Sequence, residues 1–108
     1  MSYRVTVLKH AEIDTDKIYV WLAKRSPLGA DYWCRAFLDA VKSLELDAGR
    51  YGLAPEAKAV GAEVRQHFFK THKGRRYRLL YIIEENEARV LRGRGPGQPL
   101  VRSTEIIS

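Results

Sequence analysis

A single cysteine, Cys34, stands in the whole chain, so no disulfide framework forms within it, and no C-x-x-C offers zinc a pair of thiolates. The three histidines have no ligand-like spacing to Asp, Glu or Cys, and no metal site is expected. There is no Ser/His/Asp arrangement and no P-loop. The GRGPGQP run follows a strand but opens no helix, so it is not a dinucleotide fingerprint and no cofactor is expected. Nor does any apolar run approach the roughly 18 residues of a membrane span. The opening MSYRVTVLKHAEID lacks the apolar core of a signal peptide, so the expectation is a cytoplasmic protein with no membrane partner.

What is present describes a soluble globular chain. Its 108 residues make one domain, residues 1–108, with a short tail from about 95. A chain of this size buries roughly 65% of its unfolded surface without needing a staple. The 45% hydrophobic and 30% charged fractions exclude disorder. The net charge of +6 is uneven: residues 1–62 carry 9 basic and 8 acidic side chains, while residues 63–102 carry 10 and 4. The positive charge belongs to the second half, and nucleic acid or an acidic protein is its natural counterpart.

YRVTVL (Tyr3 to Leu8) is short and β-branched, and predicts a strand. A helix follows from about Ala11 to Lys24, with Ala11, Thr15, Ile18 and Leu22 as its buried stripe and Trp21 on the flank. Ser26–Pro27–Leu28–Gly29 breaks it. The clearest period spans about Ala30 to Ala48, where Ala30, Trp33, Cys34, Phe37, Val41, Leu44 and Ala48 recur at threes and fours, with Gly49 as the C-cap. A polar connector, Arg50 to Ala62, has room for one helical turn. Three strands close the domain: Val64 to Phe69, Tyr77 to Ile83 and Ala88 to Arg94, joined as hairpins through KTHKGRR and EENE. The predicted fold is α+β, a small, mostly antiparallel four-stranded sheet with an N-terminal helical hairpin on one face (β-α-α-β-β-β). The other face, or the rim, is left for the basic residues.

Arg65 and His67 alternate on one strand and point the same way. Lys70, His72, Lys73, Arg75 and Arg76 crowd the next loop, and Arg78, Arg89, Arg92 and Arg94 extend the charge across two strands. With Tyr77 and Tyr81 interleaved, this is a surface for phosphate binding and base stacking; a solvated charge cluster is the plain alternative. On a central strand, Tyr81 equally suits packing against the helices. His67 is the side chain best suited to acid–base work near neutrality, and half-burial as a structural residue is its alternative. Cys34, on the apolar helix face, is expected in the core.

Several strings, taken in order, resemble the RelE/ParE superfamily of bacterial toxins from type II toxin–antitoxin systems, which includes plasmid stabilisation proteins. They are YRVTVLKHAEIDTDKIYVWLAKRSP, WCRAFLDAVKSL, GLAPEA, EVRQHFFK and RRYRLLYIIEENEARVLRGR, and they run from Tyr3 to about Leu100. The resemblance implies growth arrest and neutralisation by a cognate antitoxin within a higher-order complex. Its RelE side, the first expectation, implies metal-independent cleavage of mRNA on the ribosome. Arg65, His67, Arg78 and Arg94 then fall on the family's basic catalytic positions, Arg65 and Arg78 as a phosphate clamp and His67 as acid or base. Lys70, His72, Lys73, Arg75, Arg76, Tyr81 and Arg92 would contact RNA or a partner. The GRGPGQPLV stretch departs from that pattern, lacking the basic and aromatic cluster that many RelE-like nucleases carry there. The ParE side implies instead a non-catalytic inhibitor of DNA gyrase, with Arg89, Arg92 and Arg94 at the interface. A third alternative is a non-toxic basic nucleic-acid-binding module.

Overall fold

The structure is a computed structural model that describes residues 2–72 and 74–107. Val5 and Val7 anchor the first strand, β1 (Arg4–Val7), which leads directly into helix α1 (Lys9–Arg25). The expected four-residue break after α1 narrows to one residue. Ser26 ends α1 and its hydroxyl oxygen accepts the Gly29 amide at 3.0 Å, capping α2 (Pro27–Asp47) with Pro27 in its first turn. A proline there loses no helical hydrogen bond, so the second helix starts earlier than its apolar period predicts. Gly49 is not the C-cap of α2. The chain tightens into a 3-10 turn, Ala48–Arg50, that carries Ala48 into the core.

The connector supplies α3 (Glu56–Val60), closed by Gly61 in the left-handed region at φ 75°. Strands β2 (Arg65–Phe69), β3 (Tyr77–Glu84) and β4 (Glu87–Arg94) follow, and the tail ends in α4 (Ser103–Ile107). The sheet order is β1-β4-β3-β2, with β1 parallel to β4 and the other pairs antiparallel. This is the expected α+β architecture, with a mixed sheet.

Alternation divides the sheet into two faces. Leu79, Tyr81, Ala88 and Val90 pack with Ala11, Ala40, Leu44 and Ala48 of the helical hairpin. The opposite face has its own small core, and here the expectation of an open face is corrected. Leu80 and Val64 pack with Ala54 and with Val101 of the tail, flanked by Ala57, Val60, Ile82 and Ile106. The tail thus returns across the sheet, because Val101 and Ile106 find apolar surface there that would otherwise face water. No helix among the described residues is long and apolar enough to cross a membrane.

Candidate functional site

The β2–β3 register places Arg65 opposite Tyr81, His67 opposite Leu79 and Phe68 opposite Arg78. Residues directly opposite share a face, so Arg65 and His67 lie on the hairpin side and Arg78 on the tail side. Arg94 pairs with Arg78 and shares its face. The four residues expected to form one catalytic surface are therefore split by the sheet. A clamp of Arg65 with Arg78 beside His67 is not assembled.

A bulge in β4 extends the separation. The pairing shifts between Leu80 and Tyr81, which face Arg92 and Val90, so Leu91 is the extra residue. Strict alternation from Val90 would send Arg92 and Arg94 toward the helices. The bulge reverses their facing, and they join Arg78 on the tail side.

On that side Arg78 and Arg94 meet carboxylates, and Arg92, at the stretch of β4 beyond its pairing with β1, meets one from α1 of the hairpin. Arg78 donates one terminal nitrogen to Glu56 Oε1 at 2.7 Å and the other to Oε2, and only 12% of its side chain is exposed. Val101 donates its amide to the same Oε2 at 3.0 Å, so this carboxylate also ties down the tail. Burial alone would raise the Glu56 pKa, but the hydrogen bonds from Arg78 and Val101 outweigh it and hold the carboxyl below its ordinary range. Arg92 makes the second fork, to Asp14 of α1 at 2.7 and 2.9 Å, which raises its own pKa. Asp14 also accepts the Gly93 amide at 3.0 Å. Because β1, among the described residues, pairs only with Glu87–Val90, that amide is an edge donor that the α1 carboxylate satisfies. Glu105 of α4 lies 3.8 Å from Arg92 and 3.7 Å from Arg94. The Arg94 Nε is buried without a hydrogen-bond partner among the described residues.

On the hairpin side, Arg65 donates to the carbonyl oxygens of Tyr51 at 2.5 Å and Gly49 at 3.4 Å. It closes the carbonyl end of the 3-10 turn, where a cation suits the helix dipole. His67 lies against Tyr51 with ring centroids 3.9 Å apart, and burial lowers its pKa, so it is neutral at pH 7. Tyr81 is fully buried and donates its hydroxyl to the Ala48 carbonyl at 2.5 Å; burial raises its pKa. It packs against the helices and does not serve as a stacking surface.

Of the basic residues expected to contact RNA or a partner, those without a carboxylate partner among the described residues sit in the β2–β3 loop. Lys70, His72, Arg75 and Arg76 are exposed in the β2–β3 loop, with the Arg76 guanidinium 4.2 Å from the Phe68 ring centre. Lys73 falls outside the described residues. Arg75 borders a cavity shared with Lys17 and Trp21 of α1, Tyr77, and the glycines that end β4. The helical period places Trp21 on a flank and assigns Lys17 no role. The signal was available in the spacing, since Asp14, Lys17, Ile18 and Trp21 form their own stripe at threes and fours.

No protein-family model matches the chain, and no curated protein matches it.

Proposed function

We propose that the chain is a RelE/ParE-type toxin that arrests growth by binding a protein target, and that it is neutralised by a cognate antitoxin. The observation that carries the choice of mechanism is the split of Arg65 and His67 from Arg78 and Arg94 across the sheet. Cleavage of RNA by in-line attack needs a proton acceptor and a phosphate clamp within reach of one phosphodiester. Here the neutral imidazole and the forked arginines lie on opposite faces, and Arg78 and Arg92 already hold carboxylates. Gyrase inhibition, the ParE-like action, requires no catalytic set. It requires an accessible surface of defined charge, and the loop carrying Lys70, His72, Arg75 and Arg76 is such a surface.

Induced expression is expected to halt growth, with gyrase supercoiling blocked in vitro and mRNA left intact in a translation reaction. Ribosome-dependent mRNA cleavage with unimpaired supercoiling would replace this mechanism with the RelE-like one. Normal growth and both activities unimpaired would leave the non-toxic nucleic-acid-binding module. Charge reversal at Arg75 and Arg76 reads the surface directly, because both side chains are exposed and their loss leaves the core untouched.

A further inference from the structure

The cavity between α1 and the end of β4 has the chemistry of a ligand site. It encloses about 380 Å³, inside the usual range for small-molecule pockets. Two aromatic side chains, Trp21 and Tyr77, and two cations, Lys17 and Arg75, border it. Neither cation forms an ion pair among the described residues. The one carboxylate in the lining, Asp14, is already compensated by the Arg92 fork and the Gly93 amide. The cavity is therefore net positive.

Its aromatic walls are held in place. The Arg25 guanidinium lies 3.7 Å from the Trp21 ring centre and donates to the Trp21 carbonyl, covering one face of an indole that is still 53% exposed. A side chain at Gly95 would come within 3.1 Å of the Tyr77 ring, so the glycine lets that ring lie close against the backbone. Gln98 accepts the Gly95 amide through Oε1, which orients its NH₂ group as a donor for a ligand's polar edge.

We propose that this cavity binds a nucleoside monophosphate, the base stacking against Trp21 and Tyr77 and the phosphate lying between Lys17 and Arg75. Aromatic faces accept any base, and paired cations select the charged phosphate over the bare nucleoside. The inference does not rest on the toxin reading, although Arg75 of the β2–β3 loop serves both, so Lys17→Glu and Trp21→Leu on α1 are the variants that separate them.

Trp21 supplies the readout. The other tryptophan, Trp33, is 3% exposed but packs edge-on against Tyr77 with centroids 5.7 Å apart, so quenching is assigned to Trp21 by its loss in Trp21→Leu. Titration of the full chain with adenosine 5′-monophosphate is expected to quench fluorescence saturably. Adenosine and inorganic phosphate should each bind at least about tenfold more weakly, having lost one half of the contacts. Lys17→Glu and Arg75→Glu should each weaken the monophosphate about tenfold by calorimetry while leaving the circular dichroism spectrum unchanged. Trp21→Leu, at an exposed position, should weaken adenosine 5′-monophosphate by calorimetry. No saturable binding at millimolar nucleotide overturns the proposal, as does equal binding of nucleotide and nucleoside, or charge reversal without effect. A 5′-phosphorylated dinucleotide separates two sources of the same chemistry. Equal or weaker binding supports a free nucleotide, and much tighter binding overturns it in favour of a strand end.

Discussion

Glu56 holds Arg78 by both carboxylate oxygens and takes the Val101 amide on one of them, so one side chain joins α3, β3 and the tail. The pair sits between layers with little access to water, at 12% and 1% side-chain exposure. Removing one partner strands the other's charge. Arg78→Met or Glu56→Leu alone is therefore expected to destabilise the fold by about 3–5 kcal/mol, whereas the two replacements together restore most of the loss. Urea unfolding of the four proteins measures the coupling. An Arg78→Ala variant that lost toxicity would consequently report on folding before it reported on phosphate.

Acid should unfold the protein through the same carboxylate. The Glu56 carboxyl is lowered from its ordinary value of 4.5, so the unfolded chain takes up its proton first. The stabilisation is complete above 4.5 and drains as the pH falls through the lower folded value. Glu87, lowered chiefly by the Thr6 hydroxyl, and Glu105, lowered chiefly by the Arg102 amide, act in the same window. Urea midpoints measured at falling pH should drop steeply below 4.5 for the native protein. The drop should be shallower in Glu56→Gln, which begins from a lower stability at neutral pH.

His67 sets a second, milder dependence. Burial lowers its pKa from 6.5, so stability is complete above 6.5 and declines as the pH falls toward the folded value. His67→Gln is expected to flatten the stability profile between about pH 7 and about pH 5, the range in which an ordinary imidazole titrates. Nuclear magnetic resonance titration of the ring should give a midpoint below 6.5. A midpoint above it would mean that the imidazole has a carboxylate partner.

Tyr81→Phe deletes one hydroxyl and leaves the buried Ala48 carbonyl without its partner. The expected loss is about 1–3 kcal/mol, read from thermal or urea unfolding, with the fold retained. A neutral result would mean that water or a neighbouring donor replaces the phenol.

The elements were legible in the sequence because their patterns are local. Strand-forming composition marked β2 and β3 to within a residue, and the threes and fours from Ala30 to Ala48 marked α2 apart from its first turn. The division of the site was not legible, because it depends on register and on the β4 bulge, which no single strand encodes. The partners of the arginines were hidden for a different reason. Glu56 lies in a connector 22 residues before Arg78, and Asp14 lies 78 residues before Arg92, so neither spacing has a local meaning. The return of the tail was masked by its prolines and glycines, which announce a loop but do not exclude Val101 from the core.

The sheet order carries a consequence for synthesis. Among the described residues β1 pairs only with β4, so this four-residue strand waits for β4 to be translated, Arg4 meeting Glu87 and Val7 meeting Val90. Asp14 likewise waits for Arg92, and Glu56 for both Arg78 and Val101. A chain halted in β3 or β4 lacks the sheet partners and counter-charges that close the domain, and it leaves unpaired strand edges and uncovered apolar residues. Such fragments are natural substrates for proteases and chaperones. The topology thus acts as a check on this domain, in which only a chain extended through β4 and Val101 can acquire the native surface and whatever activity that surface carries.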